Sequence, residues 1–302
     1  MARTSPAHQV PVYAASRWSR RELLRTAAGL TLAAGGAGVA AAAYALAFEP
    51  RWIEVVPVRV RMPRLAPAFS GYRIVQISDL HLGDGLSRDQ LAGVVRLVNQ
   101  QRADLIAVTG DFITRGAPLF AHDLITTLRG LAAHDGVVAV LGNHDHWSSA
   151  ATIRAVIAES GMRDLDNAVH TLERGGALLH IAGVDDMWEQ QARLDDVLAR
   201  LPRAGAAVLL AHEPDFADVS ATCGRFDLQL SGHSHGGQVV VPFYGPPQLP
   251  PYARHYPLGR YRVGRMVQYT NRGIGTLWPH VRVNCRPEIT VFTLEAPQEG
   301  AS

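Results

Sequence analysis

The stretch Leu228–Pro242, LQLSGHSHGGQVVVP, has two readings. Gly232-His233-Ser234-His235-Gly236 fits G-x-S-x-G, in which a nucleophilic serine sits on a sharp turn from a strand into a helix. The same residues fit G-H-x-H, two histidines one residue apart at the end of a strand. The serine reading needs a helix next, but GGQVVVPFYGPP follows, rich in glycine, proline and β-branched residues. It also needs an acid and then a histidine downstream. No Asp or Glu occurs between His235 and Glu288, and no His follows Glu288. The triad cannot be completed, so the histidines become the residues to explain.

Composition narrows the field. With 302 residues, 47% hydrophobic and 19% charged, the chain can bury a large core. The net charge is +2, but the first 47 residues hold five Arg and one Glu, and the remainder carries 24 Arg against 26 acids. No basic excess indicates a nucleic-acid partner. Every basic residue is Arg, which excludes a lysine nucleophile. Cys223 and Cys285 are too few for a disulfide framework and are expected as one bridge or two free thiols.

The N-terminus reads as an address. Ser19–Arg25, SRRELLR, precedes the uncharged Thr26–Phe48, long enough to span a bilayer. A basic stretch, an apolar stretch and the small-residue site Ala45-Leu46-Ala47 are the parts of an export signal. The pair Arg20-Arg21 resembles the twin-arginine signal. The expectation is export by that route, with the segment either cut or kept as a membrane anchor and the remainder outside the cytoplasm. The expected organisation is 1–47 signal or anchor, 48–72 lead-in strand and linker, 73–296 catalytic domain and 297–302 tail.

Past residue 72, strand and helix patterns alternate. YRIVQISD, DLIAVTGD and VVAVLGNHD read as buried strands. Helices are expected at Asp89–Gln100, Pro118–Ala133 and Ser148–Ser160, the last with Ser148 or Ser149 as N-cap. A hairpin turns at Gly175-Gly176, Leu194–Leu201 reads as a helix, and the pattern after Phe226 is strand and turn. Alternation followed by a strand-rich half argues for stacked sheets covered by helices.

Five strand ends carry the chemistry: Asp79 and His81; Asp111; Asn143, His144 and Asp145; His212; His233 and His235. Ligands of open α/β sheets bind at the carboxyl ends of strands. If the chain is extended there, residues i and i+2 point the same way, pairing Asp79 with His81 and His233 with His235. Gly110, Gly142 and Gly232 directly precede candidate ligands and allow close backbone approach. Imidazole with carboxylate oxygen suits Zn, Fe or Mn, and the lack of nearby cysteine argues against structural zinc.

In this order, D-x-H, G-D, G-N-H-D, H and G-H-x-H resemble the calcineurin-like metallophosphoesterase superfamily, and the leader with the ending NRGIGTLWPHVRVNCRPEI resembles its bacterial exported or membrane phosphodiesterase branch. The resemblance implies an α/β fold, a four-layer α/β/β/α sandwich with two mixed β-sheets. It implies two divalent transition metals, one held by Asp79, His81, Asp111 and His235, the other by Asp111, Asn143, His212 and His233. His144 would face the leaving group as general acid, and Asp145 would orient it. Two metals in such a site clamp an in-line displacement and lower the pKa of a bound water toward about 7. The implied activity is hydrolysis of phosphodiesters, of lipid or cell-wall origin for an exported domain. A pyrophosphatase acting on a UDP-diacylglucosamine-like glycolipid is the alternative, and an inactive metal-binding membrane module a third. His146 and Trp147 lie beside the site in sequence, and Arg115, Arg272 and Arg282 are candidates to hold a phosphate.

Overall fold

In the computed structural model, residues 19–297 are described; the start of the leader and all but the first residue of the expected 297–302 tail lie outside them. Helix α1 spans Arg20–Ala43, opened by a capping box in which Ser19 accepts from the Glu22 amide and Glu22 returns to the Ser19 amide. It buries none of its residues, and it is long and apolar enough to cross a membrane. The chain divides into two compact units at Tyr44–Ala45. All three hydrophobic clusters of the second unit are built from residues beyond 45, so its core closes without α1.

That second unit carries twelve strands: β1 (Glu54–Arg61), β2 (Arg73–Ile77), β3 (Leu105–Thr109), β4 (Val137–Val140), β5 (Arg163–Asp164), β6 (Ala168–Arg174), β7 (Ala177–Gly183), β8 (Ala206–Leu210), β9 (Leu228–Ser231), β10 (Gly259–Val263), β11 (Met266–Thr270) and β12 (Glu288–Glu295). They form two mixed six-stranded sheets, ordered β1-β12-β2-β3-β4-β5 and β10-β11-β9-β8-β7-β6. In the first, β2, β3, β4 and β5 run parallel while β12 meets β2 antiparallel. In the second, β7, β8, β9 and β11 run parallel and β6 and β10 are antiparallel edges.

The strands read as near-continuous apolar runs because both of their faces are buried. Along β3, Leu105 and Ala107 face the other sheet, whereas Ile106 and Val108 face helices. Along β8, Ala206, Val208 and Leu210 point between the sheets, and Ala207 and Leu209 point outward. Helices α2 (Arg88–Gln100), α3 (Ala117–Leu128) and α4 (Asn143–Glu159) cover the first sheet through Leu91, Val98, Leu124 and Ile153. Helix α5 (Leu194–Arg200) covers the second through Val197. The result is the expected four-layer α/β/β/α sandwich.

Helix boundaries differ from the sequence reading. α3 stops at Leu128 rather than Ala133, where Gly130, a weak helix former, lies in a turn that closes on Thr127 and Leu128. α4 begins at Asn143 rather than Ser148, because the Asp145 carboxylate accepts the Gly142 amide and holds a turn directly after β4. Ser149 breaks that helix with φ −176° and ψ 95°, and its hydroxyl accepts the Thr152 amide, so it caps the longer second segment.

Leu105 is fully enclosed between the sheets, while Val55 on the edge strand is partly exposed. Leu105→Ala is expected to cost about 2–5 kcal/mol of unfolding free energy and Val55→Ala about 0.5 kcal/mol or less, measured by urea denaturation of residues 45–302. Equal costs would place the inter-sheet core elsewhere.

Candidate metal centre

Parallel strands of both sheets end at one place. Ser78–His81 follow β2, Gly110-Asp111 follow β3, Gly142-Asn143 follow β4, His212 lies two residues past β8, and Gly232–His235 follow β9. Gln76, buried between the sheets, donates to Thr109 Oγ1 on its own sheet and to the Ser231 carbonyl on the other, tying them together just below the site.

The side chains gather in two groups: Asp79, His81 and His235, and Asp111, His212 and His233. All six are buried, as is Asn143. Asp111 Oδ2 lies 3.5 Å from His81 Nε2 and 3.2 Å from His212 Nε2, between the two groups. His235 Nε2 is 3.0 Å from His81 Nε2 and 3.4 Å from Asp79 Oδ1. The neighbours His233 and His235 are therefore divided between the groups.

The expectation of extended backbone at these ligands is overturned. Asp79 (φ 52°), His81 (φ 48°), Asp111 (φ 56°), His233 (φ 67°) and His235 (φ 51°) are all left-handed. Such conformations are rare for residues with a Cβ, and they cluster where the surroundings hold them. Here the loops are pinned by their own amides. The Asp145 carboxylate accepts from the amides of Asp111, Phe112 and Gly142 at 2.9, 2.9 and 3.0 Å. The Asp79 carboxylate accepts the His233 amide, and Asp111 Oδ1 accepts the His144 amide at 2.9 Å. Asp145, expected to orient His144, instead anchors the backbone around Asp111. His144 Nδ1 faces the Thr114 carbonyl at 3.4 Å, and its ring lies edge-on to His81.

The glycines that precede the ligands have no room for a side chain. A Cβ on Gly142 would meet Asp111 Oδ1 and lie 2.7 Å from His212 Nε2; one on Gly232 would meet Ser78 Oγ and Asp79 Oδ2; one on Gly110 would lie 2.5 Å from His212 Nδ1. The remaining ring nitrogens fix the imidazoles: His212 Nδ1 donates to the Thr109 carbonyl at 2.6 Å, His233 Nε2 donates to the Pro251 carbonyl, and His81 Nδ1 meets Thr114 Oγ1.

Without a cation the cluster is electrostatically strained. Burial, with the charge of Asp111 beside it, pushes the Asp79 carboxyl up to about 7, although His212 opposes this. Burial alone would raise the Asp111 carboxyl, but the surrounding histidines, His212 foremost, hold it well below the usual range. His212 is the counterpart: burial opposes its charge, and Asp111 holds its proton. Burial pushes His81 down to about 3 and lowers His233 and His235 as well, which leaves neutral imidazoles with lone pairs to donate. Asn143 Oδ1 is buried without a hydrogen-bond partner, and the buried His212 Nε2, 3.2 Å from Asp111 Oδ2, makes no aligned hydrogen bond. A buried polar atom without a partner is costly, and a cation is the partner these donors share. Imidazole nitrogen, carboxylate oxygen and amide oxygen fit Zn, Fe or Mn.

Over the site lies a cleft of about 350 Å³, lined by Asp111, Asn143, His144 and His233 at its base and by Trp147, Trp188, Leu249, Leu277 and Trp278 on its walls.

The profile of the calcineurin-like phosphoesterases matches residues 72–237, more than half of the chain and the whole span of the cluster. The chain belongs to this family. It is 37% identical to the uncharacterized metallophosphoesterase YkuE of Bacillus subtilis over 288 residues, covering 93% of this chain and 99% of that one. It is 30% identical to the phosphodiesterase YaeI of Escherichia coli over 280 residues, covering 91% and 99%. A transmembrane protein with a metallophosphoesterase domain from Danio rerio is 28% identical over 272 residues, 84% of this chain and 60% of the relative. This metallophosphoesterase is accordingly a hydrolase of a family that binds two divalent metals, and it carries two groups of residues able to hold them.

The roles of several residues around the site escaped the sequence reading. Arg282 is fully buried and donates to the carbonyls of Arg272, Gly273, Gly275 and Cys285, which holds the loop whose Gly275 amide bonds the Asp79 carbonyl. Arg272 is paired with Glu288 and Glu54, so neither arginine is free to hold a phosphate. Arg115 is exposed beside His144 and Trp278. Trp188 packs edge-on against His233 and Trp147, and its amide is held by the buried Glu213. No local pattern marks these residues; they matter through partners distant in sequence. Ser234 Oγ accepts the Gly236 amide and caps the turn between the two histidines. Both cysteines are free thiols.

Gly142→Ala is expected to leave the fold intact but to lower retained metal by at least about one ion per chain after dialysis. Gly93→Ala, on a helix with its nearest atom 3.7 Å from the added Cβ, should retain the parent's metal. Metal analysis and thermal melting read both outcomes. Full metal retention by Gly142→Ala would contradict the role of this close approach.

Proposed function

We propose that the protein hydrolyses phosphodiesters at a dinuclear site in which Asp79, His81, Asp111 and His235 hold one metal and Asp111, Asn143, His212 and His233 hold the other. The observation that carries this reading is the pair of buried donor atoms without an aligned hydrogen bond, Asn143 Oδ1 and His212 Nε2, beside a carboxylate shared by two groups. Two bound divalent metals would supply a water of lowered pKa and neutralise charge on the phosphoryl oxygens.

The remaining roles belong to the chain. His144 lines the cleft, and with Nδ1 against Thr114 its Nε2 is left to protonate a leaving oxygen. Asp145, through three amides, keeps the Asp111 and Asn143 loops in register. The tryptophan-rich walls favour a diester with at least one apolar substituent, in keeping with a lipid or cell-wall phosphodiester. The leader accords with twin-arginine export, with α1 either retained as an anchor or removed; YaeI is named a phosphodiesterase, and the Danio rerio relative a transmembrane protein.

Residues 45–302 loaded with Mn²⁺ are expected to hydrolyse bis(p-nitrophenyl) phosphate and to lose activity to chelator. His144→Ala should retain both metals and lower kcat by about 10²–10⁴-fold on a diester with an alkoxide leaving group, and by much less on the nitrophenolate. Activity that survives metal removal contradicts the metal reading, and equal losses on both substrates remove His144 from the acid role. Changing Arg20 and Arg21 together to lysine is expected to hold the full chain in the cytoplasm, followed by fractionation and immunoblotting; unchanged export would point to a plain anchor or the general secretory route.

A further inference from the structure

The loops that wall the cleft carry apolar side chains that the domain does not use. Phe243 and Trp278 are almost wholly exposed, at 112% and 83%, Tyr244 stands at 77%, and Val241 is also exposed. These residues belong to one surface. Val240 and Val283 exchange backbone contacts with each other and with Gln238, and the Gln238 side chain bonds both the amide and the carbonyl of Leu277. The tip itself is a tight turn, in which Val241 and Gly245 bond each other's backbone and Phe243 is left-handed at φ 66°. A side chain held at the end of a pinned turn with nothing packed on it is presented outward.

The same surface receives the chain from α1. The Arg282 amide donates to the Ala45 carbonyl, and the Cys285 amide donates to Glu49 Oε1. Leu46 and Phe48 on that segment are exposed in turn. Ala45 lies two residues past the end of an apolar helix long enough to span a bilayer. At about 3.8 Å per residue, a membrane holding that helix lies within reach of this face.

The charge fits as well. From Gly236 to Pro287 there is no Asp or Glu. The exposed Arg51 lines a hollow with Leu46, and the exposed Arg115 lines one with Trp278. Asp84, the carboxylate common to both hollows, faces His280 at 3.3 Å. Asp123, in the hollow with Leu46, faces Arg88 at 3.5 Å. Aromatic side chains flanked by arginines are the composition that sits at the headgroup level of anionic bilayers.

We propose that the rim formed by Val241, Phe243, Tyr244, Trp278 and the Leu46–Phe48 segment docks onto an anionic phospholipid surface, so that the cleft opens against the lipid headgroups. Docking would deliver substrates from the plane of the membrane and would persist in a chain whose leader has been removed. This goes beyond the hydrolytic reading, and flotation needs no turnover, so the two stand or fall separately.

The test uses residues 45–302, the unit whose core closes without α1, and vesicles of phosphatidylcholine with or without phosphatidylglycerol. The unit should float with the phosphatidylglycerol vesicles, less with phosphatidylcholine alone, and less at high salt. Phe243→Ser with Tyr244→Ser should lower the vesicle-bound fraction about tenfold, while the melting temperature and the hydrolysis of a soluble aryl diester are unchanged; Phe243→Ser alone, at a side chain with no packing to lose, should move the fraction in the same direction. Absence of flotation by the parent, equal flotation of parent and both variants, or a parent dimer that the double variant dissociates in light scattering would each overturn the proposal, the last by making a second copy the occupant.

Discussion

Two carboxylates, Asp79 and Asp111, are buried in neighbouring groups among four imidazoles, and the rest of the site follows from that arrangement. Carboxylates removed from water are costly unless paired with positive charge and hydrogen-bond donors. Backbone amides supply part of the compensation, from His233 to Asp79 and from His144 to Asp111. The imidazoles cannot supply all of it, because burial itself drives His81, His233 and His235 toward neutrality. Divalent cations would complete the balance, and the neutral imidazoles that burial creates are the form that ligates a metal.

The sandwich makes this burial achievable. Parallel strands in both sheets end at one edge of the inter-sheet core, so five loops converge while the strands beneath remain dry. Gln76 crosses the seam to both sheets just below the cluster, and Asp145 gathers three amides from two of the loops. The left-handed backbone at Asp79, His81, Asp111, His233 and His235 bends each loop back over the strand ends. Gly142 and Gly232 let neighbouring loops close to distances that a methyl group would block. The polar base contrasts with the walls, where Trp188, Leu249 and Trp278 give the cleft its apolar character.

Much of this was legible in the chain. The apolar runs in YRIVQ and AAVLL signal strands buried on both faces, and the order of D-x-H, G-D, G-N-H-D, H and G-H-x-H identifies the family. The extended reading of D-x-H failed because period-two geometry holds inside a strand, and these residues lie just past its end, where loop closure sets the dihedrals. The start of α4 was placed at Ser148 because serine is a common N-cap; Asp145 captures the amides earlier, and Ser149 caps only the second segment. Asp145 was given to His144 by adjacency, yet adjacent residues on a first helical turn point in different directions.

The sequence by itself determined which Asp, Asn and His residues could hold metal, which apolar runs form strands, and that an apolar helix precedes the domain. These are local facts: side-chain chemistry, hydrophobic period and glycine at a turn are readable within a dozen residues. Only the tertiary structure decided that Asp79, His81, Asp111, His233 and His235 take left-handed backbone, that Asp145 anchors the loops around Asp111 rather than His144, and that Arg282 braces the loop behind Asp79 from more than 200 residues away. Each of these depends on distances between segments brought together by sheet packing, and Coulombic and hydrogen-bond energies at a buried site vary over ångströms that no spacing along the chain encodes.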